Sequence, residues 1–348
     1  MSIAREALLY DKLEGGAVRC RLCAHGCTIA PGARGLCAVR ENQAGRLTSL
    51  VFGRLVARDA DPVEKKPLYH VYPGTKAFSI ATVGCNFTCL NCQNHFLSQY
   101  PRQHEGRILG DTVEPDVVVE EAAAAGCRSI AYTYGEPTVA LEYYLEIMER
   151  ARAAGLANLW VTNGYFSHEA ARAILPRVDA MNIDLKGITD AFYRHVAGAN
   201  VRPVLDSIER AAAAGVWVEV TTLVIPGLND APDDLRWTAE AVAGISPAIP
   251  WHVSRFFPAF RLADRPPTPV ATLERARDIG RNAGLKFVYI GNVPGEGETT
   301  VCPACGRRLI RRVGYVVREN ALRDGSCPAC GRTLEGRWEK DGPVSPTA

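Results

Sequence analysis

From residue 77 onward, short apolar runs alternate with longer stretches in which apolar residues recur at helical spacing. Seven runs have the length and composition of strands: FSIATV, SIAYTY, NLWVTN, AMNIDL, VWVEVTTLV, WHVSRFF and KFVYIG. Six helical stretches lie between them: VVVEEAAAAG, EYYLEIMERARAAG, HEAARAILPRV, SIERAAAAGV, DDLRWTAEAVAG and TLERARDIGRNAG. Many of these end in glycine, which is typical of helix C-termini. The alternation predicts a parallel sheet with right-handed crossovers.

The number of βα units limits the architecture of this region. About 215 residues hold six or so units, whereas a closed eight-fold barrel typically takes about 250 residues. We therefore predict an α/β fold whose core, residues 77–291, is a partial (β/α)6-type TIM barrel.

Cysteine and turn patterns divide the rest of the chain. We predict an N-terminal four-cysteine metal-binding module at 1–46, a strand-containing connector at 47–76, a C-terminal zinc ribbon at 298–338 and a flexible tail at 339–348. In the connector, the Glu64-Lys65-Lys66 run is most simply a solvated charged turn.

Composition excludes several functional classes. Of 348 residues, 47% are hydrophobic and 22% charged, and the formal charge of +2 gives no reason to expect nucleic acid. No apolar run reaches the roughly 18 residues of a membrane span, and the N-terminus has no apolar signal core. The twelve cysteines form three clusters with a single remainder, Cys127. In a long chain without a signal, such clustering predicts a metal-binding cytoplasmic protein rather than disulfides.

The central cluster is a Cys-x3-Cys-x2-Cys run formed by Cys85, Cys89 and Cys92. Three thiolates at this spacing suit three irons of a [4Fe–4S] cubane, which leaves the fourth iron open for reaction. His95 follows three residues later, so zinc binding by three cysteines and one histidine is the alternative.

The same spacing is the signature of radical S-adenosylmethionine (SAM) enzymes, which the chain resembles over about residues 77–291. It is most similar to the glycyl-radical activating branch, typified by pyruvate formate-lyase-activating enzyme. The segments DPVEKKPLYHVYPG and FSIATVGCNFTCLNCQN together resemble the AmmeMemoRadiSam group. This resemblance raises an active-site role for Glu64, Lys65 and Lys66, beside their interpretation as a charged turn. Members often carry an aromatic residue before the third cysteine that packs against the adenine. Here that position is Asn91, so the adenine contact is left unassigned.

The resemblance implies a [4Fe–4S] cluster and SAM as cofactors. Such enzymes cleave SAM reductively to methionine and a 5′-deoxyadenosyl radical, which abstracts hydrogen from a substrate. The activating branch implies a glycine of a partner protein as the substrate, with a flavodoxin or ferredoxin as electron donor. AmmeCR or Memo-type proteins, or a glycyl-radical enzyme, are the implied partners. Modification of another protein or of a small metabolite stays open, and a non-catalytic zinc-binding adaptor is the alternative from another class.

Polar residues follow the ends of several predicted strands, where parallel α/β folds build their active sites. Gly135, Glu136 and Pro137 follow the second strand, where glycine allows close approach and oxygen atoms can accept from an ammonium group. In the superfamily this pattern receives the methionyl amino group of SAM, and the resemblance carries that role to these residues.

The next strands end in further candidates for SAM binding. Asn163 closes the third strand, and Asp184 and Lys186 close the fourth. The aspartate can hold ribose hydroxyls and the lysine can pair with the methionine carboxylate, although Asp184 could instead cap the following turn. His252 on the sixth strand is either a cofactor contact or a packed core histidine. No catalytic residue is assigned beyond the cluster.

Two further cysteine sets flank the predicted barrel. The N-terminal set, Cys20, Cys23, Cys27 and Cys37, can close around tetrahedral zinc or around a second iron–sulfur cluster. The C-terminal set, Cys302, Cys305, Cys327 and Cys330, forms two Cys-x2-Cys knuckles that predict a zinc ribbon, with an iron–sulfur cluster as the alternative. Five arginines make the ribbon locally basic: Arg307, Arg308, Arg311, Arg312 and Arg318. They form a solvated face more simply than a nucleic-acid site.

Overall fold

The computed structural model of the protein describes residues 5–295 and 297–338. The predicted flexible tail, 339–348, lies outside the described residues. None of the described helices combines the length with the apolar character that a membrane crossing requires.

The described residues form short N-terminal strands, a long run of alternating strands and helices, and a final group of strands. The strands are β1 (Arg5–Glu6), β2 (Tyr10–Lys12), β3 (Val18–Cys20), β4 (Thr28–Ile29), β5 (Arg40–Gln43), β6 (Arg46–Ser49), β7 (Arg54–Leu55), β8 (Ala57–Pro62), β9 (Lys76–Ala81), β10 (Asp111–Thr112), β11 (Ser129–Tyr132), β12 (Ala157–Thr162), β13 (Ala180–Asp184), β14 (Trp217–Val224), β15 (Trp251–Arg255), β16 (Val288–Gly291), β17 (Thr300–Val301), β18 (Arg308–Val313) and β19 (Val316–Asn320). The α-helices are α1 (His95–Ser98), α2 (Tyr100–Gln103), α3 (Pro115–Ala124), α4 (Leu141–Ala153), α5 (His168–Ile174), α6 (Asp190–Phe192), α7 (Arg202–Ala213), α8 (Pro232–Ile245) and α9 (Val270–Asn282).

The central sheet contains eight strands in the order β16-β15-β14-β13-β12-β11-β9-β8. The seven strands from β9 to β16 in this sheet pair in parallel, and β8 pairs antiparallel with β9 at one edge. The α/β class and the mostly parallel sheet are therefore confirmed. The first and last strands of the sheet do not pair with each other. The sheet has seven parallel strands. The description of this region as a partial barrel of six units stays a prediction.

Burial explains why the strands contain long apolar runs. All four residues of β11 are buried, as expected for a parallel sheet that is covered on both faces. The helix α4 buries Leu141, Ile147 and Met148 among others, a spacing that places them along one stripe. The predicted strands and helices of this region all coincide with observed elements.

The N-terminal segment forms two small antiparallel sheets, β2-β3-β4 and β1-β6-β5. It packs against the loop that follows β12, because Ala24 N donates to Tyr165 O at 3.0 Å and Ser167 N donates to Leu22 O at 3.0 Å. A buried ion pair between Arg40 and Glu142 joins the same segment to α4. The N-terminal cysteines therefore lie at the carboxyl-terminal end of the central sheet.

The predicted connector is more deeply buried than expected. Its strand β8 forms the edge of the central sheet, and Glu64 and Lys66 are each only 1% exposed. The prediction of a solvated charged turn is wrong for these two residues. Lys66 Nζ is 2.9 Å from Asp61 Oδ2, and Arg312 lies beside Glu64, so each buried charge has a partner.

The C-terminal segment forms the three-stranded sheet β17-β18-β19 and packs against the central sheet. Arg312 of β18 is 1% exposed and donates to Tyr69 O at 2.7 Å. The prediction of a solvated arginine face is therefore wrong for Arg312, which ties this segment to the preceding connector. Arg337 continues the contact, since its carbonyl oxygen accepts from Tyr72 N at 2.9 Å.

Candidate functional site

A cavity of about 440 Å³ lies where the strands of the central sheet end. Its walls include every residue predicted from the central cysteine run and all but one from the strand ends: Cys85, Cys89, Cys92, Gly135, Glu136, Asn163, Asp184, Lys186 and His252. Pro137 begins a short 3-10 helix directly behind Glu136 and is buried. Residues from four strand ends thus meet at one place with His252, which lies near the start of β15.

The loop after β9 carries the three cysteines and is held by backbone contacts. Thr88 N donates to Ala197 O, and Leu90 N donates to Val196 O, each at 2.9 Å. Gly84 starts the loop at φ +95°, and a Cβ there would lie 2.5 Å from Val39 Cγ1. Glycine is therefore required at this position both for its backbone angle and for the close approach of the N-terminal segment.

The three thiols lie in surroundings that oppose their ionisation. Burial raises the pKa of the Cys85 thiol well above its usual range. Burial also raises the pKa of Cys89 to about 11, although the neighbouring Lys186 ammonium lowers it. Because a metal deprotonates a coordinating thiol outright, such buried cysteines suit ligands to a cationic centre.

Glu136 joins the loop after β11 to the end of β12. Its Oε1 accepts from Thr138 Oγ1 at 2.5 Å and from Thr162 Oγ1 at 2.7 Å, and its Oε2 accepts from Asn163 N at 2.8 Å. Both carboxylate oxygens of Glu136 already accept hydrogen bonds from the protein. The acceptors that remain for a ligand in this loop are therefore its backbone carbonyl oxygens. At Gly135 a Cβ would lie 3.0 Å from Thr82 O, which shows how tightly this loop lies against the end of β9.

The ends of β12 and β13 add an amide and an ion pair. Asn163 Nδ2 donates to Asn86 Oδ1 at 2.7 Å, next to the first cysteine of the cluster run. Lys186 Nζ lies 2.8 Å from Asp184 Oδ2. Burial lowers the pKa of Lys186, but the negative charges of the Asp184 carboxylate and of a Cys89 thiolate raise it by more. The pKa of Lys186 therefore lies above the usual lysine value. The lysine is therefore a permanent cation in the cavity wall.

His252 lies in the cavity wall and is also a packed histidine. It is buried, its Nε2 is 2.7 Å from Glu219 Oε2, and its ring meets that of Tyr69 edge-on at 4.7 Å. Glu219 is fully buried and also accepts from the backbone N–H groups of Tyr69 and His70. The position is compatible with both predicted roles for His252.

Comparison with known proteins identifies the family. The Radical SAM superfamily matches residues 79–238. An uncharacterized protein of Methanocaldococcus jannaschii is 47% identical over 310 residues, which are 88% of this chain and 91% of that protein. The chain belongs to the radical SAM superfamily.

More distant radical SAM relatives match shorter segments. A GTP 3′,8-cyclase of Aeromonas hydrophila is 30% identical over 42% of this chain and 44% of that enzyme. An isethionate sulfite-lyase activating enzyme of Oleidesulfovibrio alaskensis is 25% identical over 48% of this chain and 55% of that enzyme. Among solved structures, a domain of pyruvate-formate lyase-activating enzyme from Bacteroides vulgatus covers 47% of this chain and 99% of that domain at 19% identity, with a TM-score of 0.42. The chain thus spans about half of the two characterised enzymes.

The cavity fits the [4Fe–4S] cluster and the SAM that the radical SAM family implies. Three thiols of one loop line a space within the size range of small-molecule sites, roughly 300–1,000 Å³. Asn91, which precedes Cys92, is buried, lines the cavity and has an Oδ1 atom without a hydrogen-bond partner. A buried acceptor without a partner is costly in the free protein, and the exocyclic amine of an adenine would satisfy it.

The alternative of zinc bound by three cysteines and a histidine is not supported at the radical SAM cysteines. The ring of His95 stacks on that of Phe260 with centroids 4.5 Å apart. Among the described residues, Cys85, Cys89, Cys92 and His95 do not include three ligand atoms that all lie within 4.8 Å of one another. A single tetrahedral zinc ion with sulfur bonds of about 2.3 Å would need that convergence.

The C-terminal cysteines do converge in that way. The ligand atoms of Cys302, Cys305, Cys327 and Cys330 all lie within 4.8 Å of one another. The Sγ atoms of Cys302 and Cys330 are 3.7 Å apart, as are those of Cys305 and Cys327. Tetrahedral Zn–S geometry places sulfur atoms about 3.8 Å apart. The set therefore has the geometry of a single-ion site.

Sequence patterns did not point to several residues that line the radical SAM cavity. Tyr134 follows β11, and Lys65 Nζ lies 5.6 Å from the centre of its ring. Glu298 and Tyr315 come from the C-terminal segment. For Lys65 the signal was the charged run before β9, for which the family resemblance raises an active-site role. Nothing local marks Tyr315, because it reaches the cavity only when the C-terminal sheet folds back onto the central one.

Proposed function

We propose that the protein is an oxidoreductase that uses SAM as a radical source. When bound, the reduced cluster supplies one electron that splits SAM into methionine and a 5′-deoxyadenosyl radical, which takes a hydrogen atom from the substrate. The observation that carries this proposal is the meeting of Cys85, Cys89 and Cys92 with the Asp184–Lys186 pair in one cavity.

The chain's own residues bind and orient these groups. Cys85, Cys89 and Cys92 hold the cluster and leave one iron without a protein ligand. The carbonyl oxygens of the loop at Gly135 accept from the amino group of SAM, since the Glu136 carboxylate is occupied. The Lys186 ammonium pairs with the methionine carboxylate.

Three more residues complete the proposed SAM site. Asp184 accepts from the ribose hydroxyls while it orients Lys186. The orphaned Oδ1 of Asn91 accepts from the adenine amine, in place of the aromatic residue that members often carry there. His252 supports the wall between β14 and β15 through Glu219 and contacts the cofactor from that side.

We propose a glycine of a partner protein as the substrate, as in a glycyl-radical activating enzyme. The similarity to an isethionate sulfite-lyase activating enzyme supports this choice. The cavity wall includes Tyr315, which is 45% exposed, and the loop after β15 exposes Phe257. Exposed aromatic side chains near a cavity suit contact with a polypeptide. The similarity to a GTP 3′,8-cyclase keeps a small metabolite as the second candidate.

The AmmeMemoRadiSam group is the proposed branch, with AmmeCR or Memo-type proteins as proposed partners and a flavodoxin or ferredoxin as the electron donor. The C-terminal cysteines are proposed to hold structural zinc, which the 3.7 Å sulfur spacings support. None of the twelve cysteines, which all lie within the described residues, forms a disulfide, and this suits a reducing compartment such as the cytoplasm. A non-catalytic zinc adaptor is not favoured, because the named radical SAM relatives are enzymes.

Anaerobically reconstituted, reduced protein is expected to form 5′-deoxyadenosine and methionine from SAM. A Lys186→Met variant should raise the KM for SAM about tenfold to a hundredfold, because a hydrogen bond to a charged group is worth about 1.5–3 kcal/mol. Product quantification by chromatography at several SAM concentrations measures both quantities.

Lys286→Met provides a matched control, because Lys286 forms an ion pair with Glu335 away from the cavity. Its KM should equal that of the wild type. Absence of 5′-deoxyadenosine from iron-loaded, reduced wild-type protein would contradict the proposed function. An unchanged KM in Lys186→Met would contradict the role of that lysine alone.

A further inference from the structure

The N-terminal cysteines line a second, enclosed cavity. Cys20, Cys23, Cys27 and Cys37 contribute to its wall together with apolar side chains such as Leu22, Ile29 and Val139. Cys20 and Cys37 are buried, and the others are partly buried. An apolar wall that excludes water is the surrounding in which iron–sulfur clusters are commonly held and their potentials set.

The spacing of these thiols differs from that of the C-terminal set. Within residues 5–295 and 297–338, no three of the N-terminal cysteine Sγ atoms lie within 4.8 Å of one another, whereas all four C-terminal ones do. A single zinc ion pulls four thiolates to about 3.8 Å. In a [4Fe–4S] cluster each thiolate binds its own iron, so the sulfurs are separated by the body of the cubane. The N-terminal spacing therefore suits a cluster rather than one ion.

Buried donors point at this cavity without full partners. Arg40 is 1% exposed, lines the cavity, donates from Nη1 to Cys20 Sγ at 3.6 Å, and has an Nε atom with no partner. Asn86 is 3% exposed, and its Nδ2 also has no partner. The Asn86 side chain lies beside the Cys23 thiol. N–H donors next to sulfur atoms stabilise the negative charge that a thiolate-bound cluster carries, and Arg40 supplies such donors while Glu142 balances its charge.

Asn86 connects the two cysteine sites. It follows Cys85 in the chain, and its Oδ1 accepts from Nδ2 of Asn163, a residue of the radical SAM cavity wall, at 2.7 Å. Its side chain also lines the N-terminal cavity, and its backbone oxygen lies 2.8 Å from His25 Nε2. One residue therefore contacts both sites, and few bonds separate a ligand of one from a ligand of the other.

We infer that Cys20, Cys23, Cys27 and Cys37 hold a second [4Fe–4S] cluster, in contact through Asn86 with the cluster on Cys85. It takes one electron from an external iron–sulfur or flavin protein and passes it to the radical SAM cluster. Each cluster changes by one electron, and no bond is broken and no proton moves. The transfer of the electron to the radical SAM cluster rests on the proposed function. The presence of iron and sulfide at the N-terminal cysteines does not depend on it.

A variant that lacks the radical SAM ligands tests this inference independently of SAM cleavage. Cys85→Ala/Cys89→Ala/Cys92→Ala should keep about four irons and four sulfides per chain, against about eight of each in the wild type. Metal analysis, sulfide assay and electron paramagnetic resonance (EPR) after reduction provide the measurement. Iron-free protein with a second zinc per chain, beside the one proposed for the C-terminal cysteines, would overturn the inference, as would a variant that binds neither metal at the N-terminal cysteines.

The reciprocal variant, Cys20→Ser/Cys23→Ser, should lose about four irons and keep the zinc of the C-terminal set, which reports that the protein is folded. If it does not fold, the triple variant still decides the metal. Contact between the clusters is tested in the reduced wild type, whose EPR spectrum should be broader than the sum of the two variant spectra. A spectrum equal to that sum would refute the contact through Asn86.

Discussion

Replacing Cys89 with alanine should abolish the formation of 5′-deoxyadenosine from SAM. Cys89 is buried in the loop after β9, and it lies next to Lys186 in the cavity wall. With two cysteines left in this loop, the cubane loses the ligand of one iron as well as the contact between cluster and lysine. We expect product to fall to the level of a reaction without protein, measured under the same reducing conditions.

Cys127→Ala is the matched control for this substitution. Cys127 is also buried, but it lies outside the three cysteine clusters and does not line the radical SAM cavity. Because a free buried cysteine behaves as a small apolar side chain, the control should keep its iron and its product formation. Product formation by a folded Cys89→Ala protein would show that the cysteine run does not hold the reactive cluster.

Replacing Arg312 with methionine should lower the free energy of unfolding by about 3–5 kcal/mol, because it leaves a buried charge without its partner. Arg312 Nε lies 3.4 Å from Glu64 Oε1, and both side chains are fully buried. Its Nη1 also donates to Thr300 Oγ1 at 2.9 Å, and its guanidinium lies 4.3 Å from the centre of the Tyr69 ring. Urea denaturation at neutral pH measures the loss.

The loss in Arg312→Met should shrink as the pH falls. Burial raises the pKa of Glu64 above its usual value, although the positive charge of Arg312 lowers it. Without the arginine the pKa of Glu64 should rise further, so the folded state binds a proton that the unfolded state releases. Stability is then fully present below the pKa of Glu64 in the unfolded chain and decreases as the pH rises from there through the folded pKa. Arg318→Met, at an exposed position on β19, should change stability by less than about 0.5 kcal/mol. A loss below about 1 kcal/mol in Arg312→Met would contradict the importance of this contact.

Regular patterns made the central sheet predictable from sequence. The apolar runs of β9 and β11–β16 have the length of strands, and the helices between them often end in glycine. Run length and glycine position therefore predict the same element boundaries. The strand-end positions of Glu136, Asn163 and Asp184 followed from the same pattern, because parallel strands end at one edge. The cavity that they form together is therefore largely a consequence of local sequence.

Long-range contacts explain what the sequence did not reveal. Glu64 and Arg312 are 248 positions apart, and each looks like an ordinary surface charge until the C-terminal sheet packs on the connector. The engagement of the Glu136 carboxylate likewise depends on Thr162, 26 positions away. Spacing in the sequence could not separate a cluster from a zinc ion at the N-terminal cysteines, because that distinction depends on how far apart the folded chain holds their sulfur atoms.

The central claim is that Cys85, Cys89 and Cys92 hold a cluster whose open iron receives SAM. The most direct measurement is EPR of the reduced Cys20→Ser/Cys23→Ser variant, recorded with and without SAM. We expect one [4Fe–4S]⁺ signal whose g-values shift when SAM is added, since a ligand at the open iron changes its electronic surroundings. A signal that is identical with and without saturating SAM would contradict the claim.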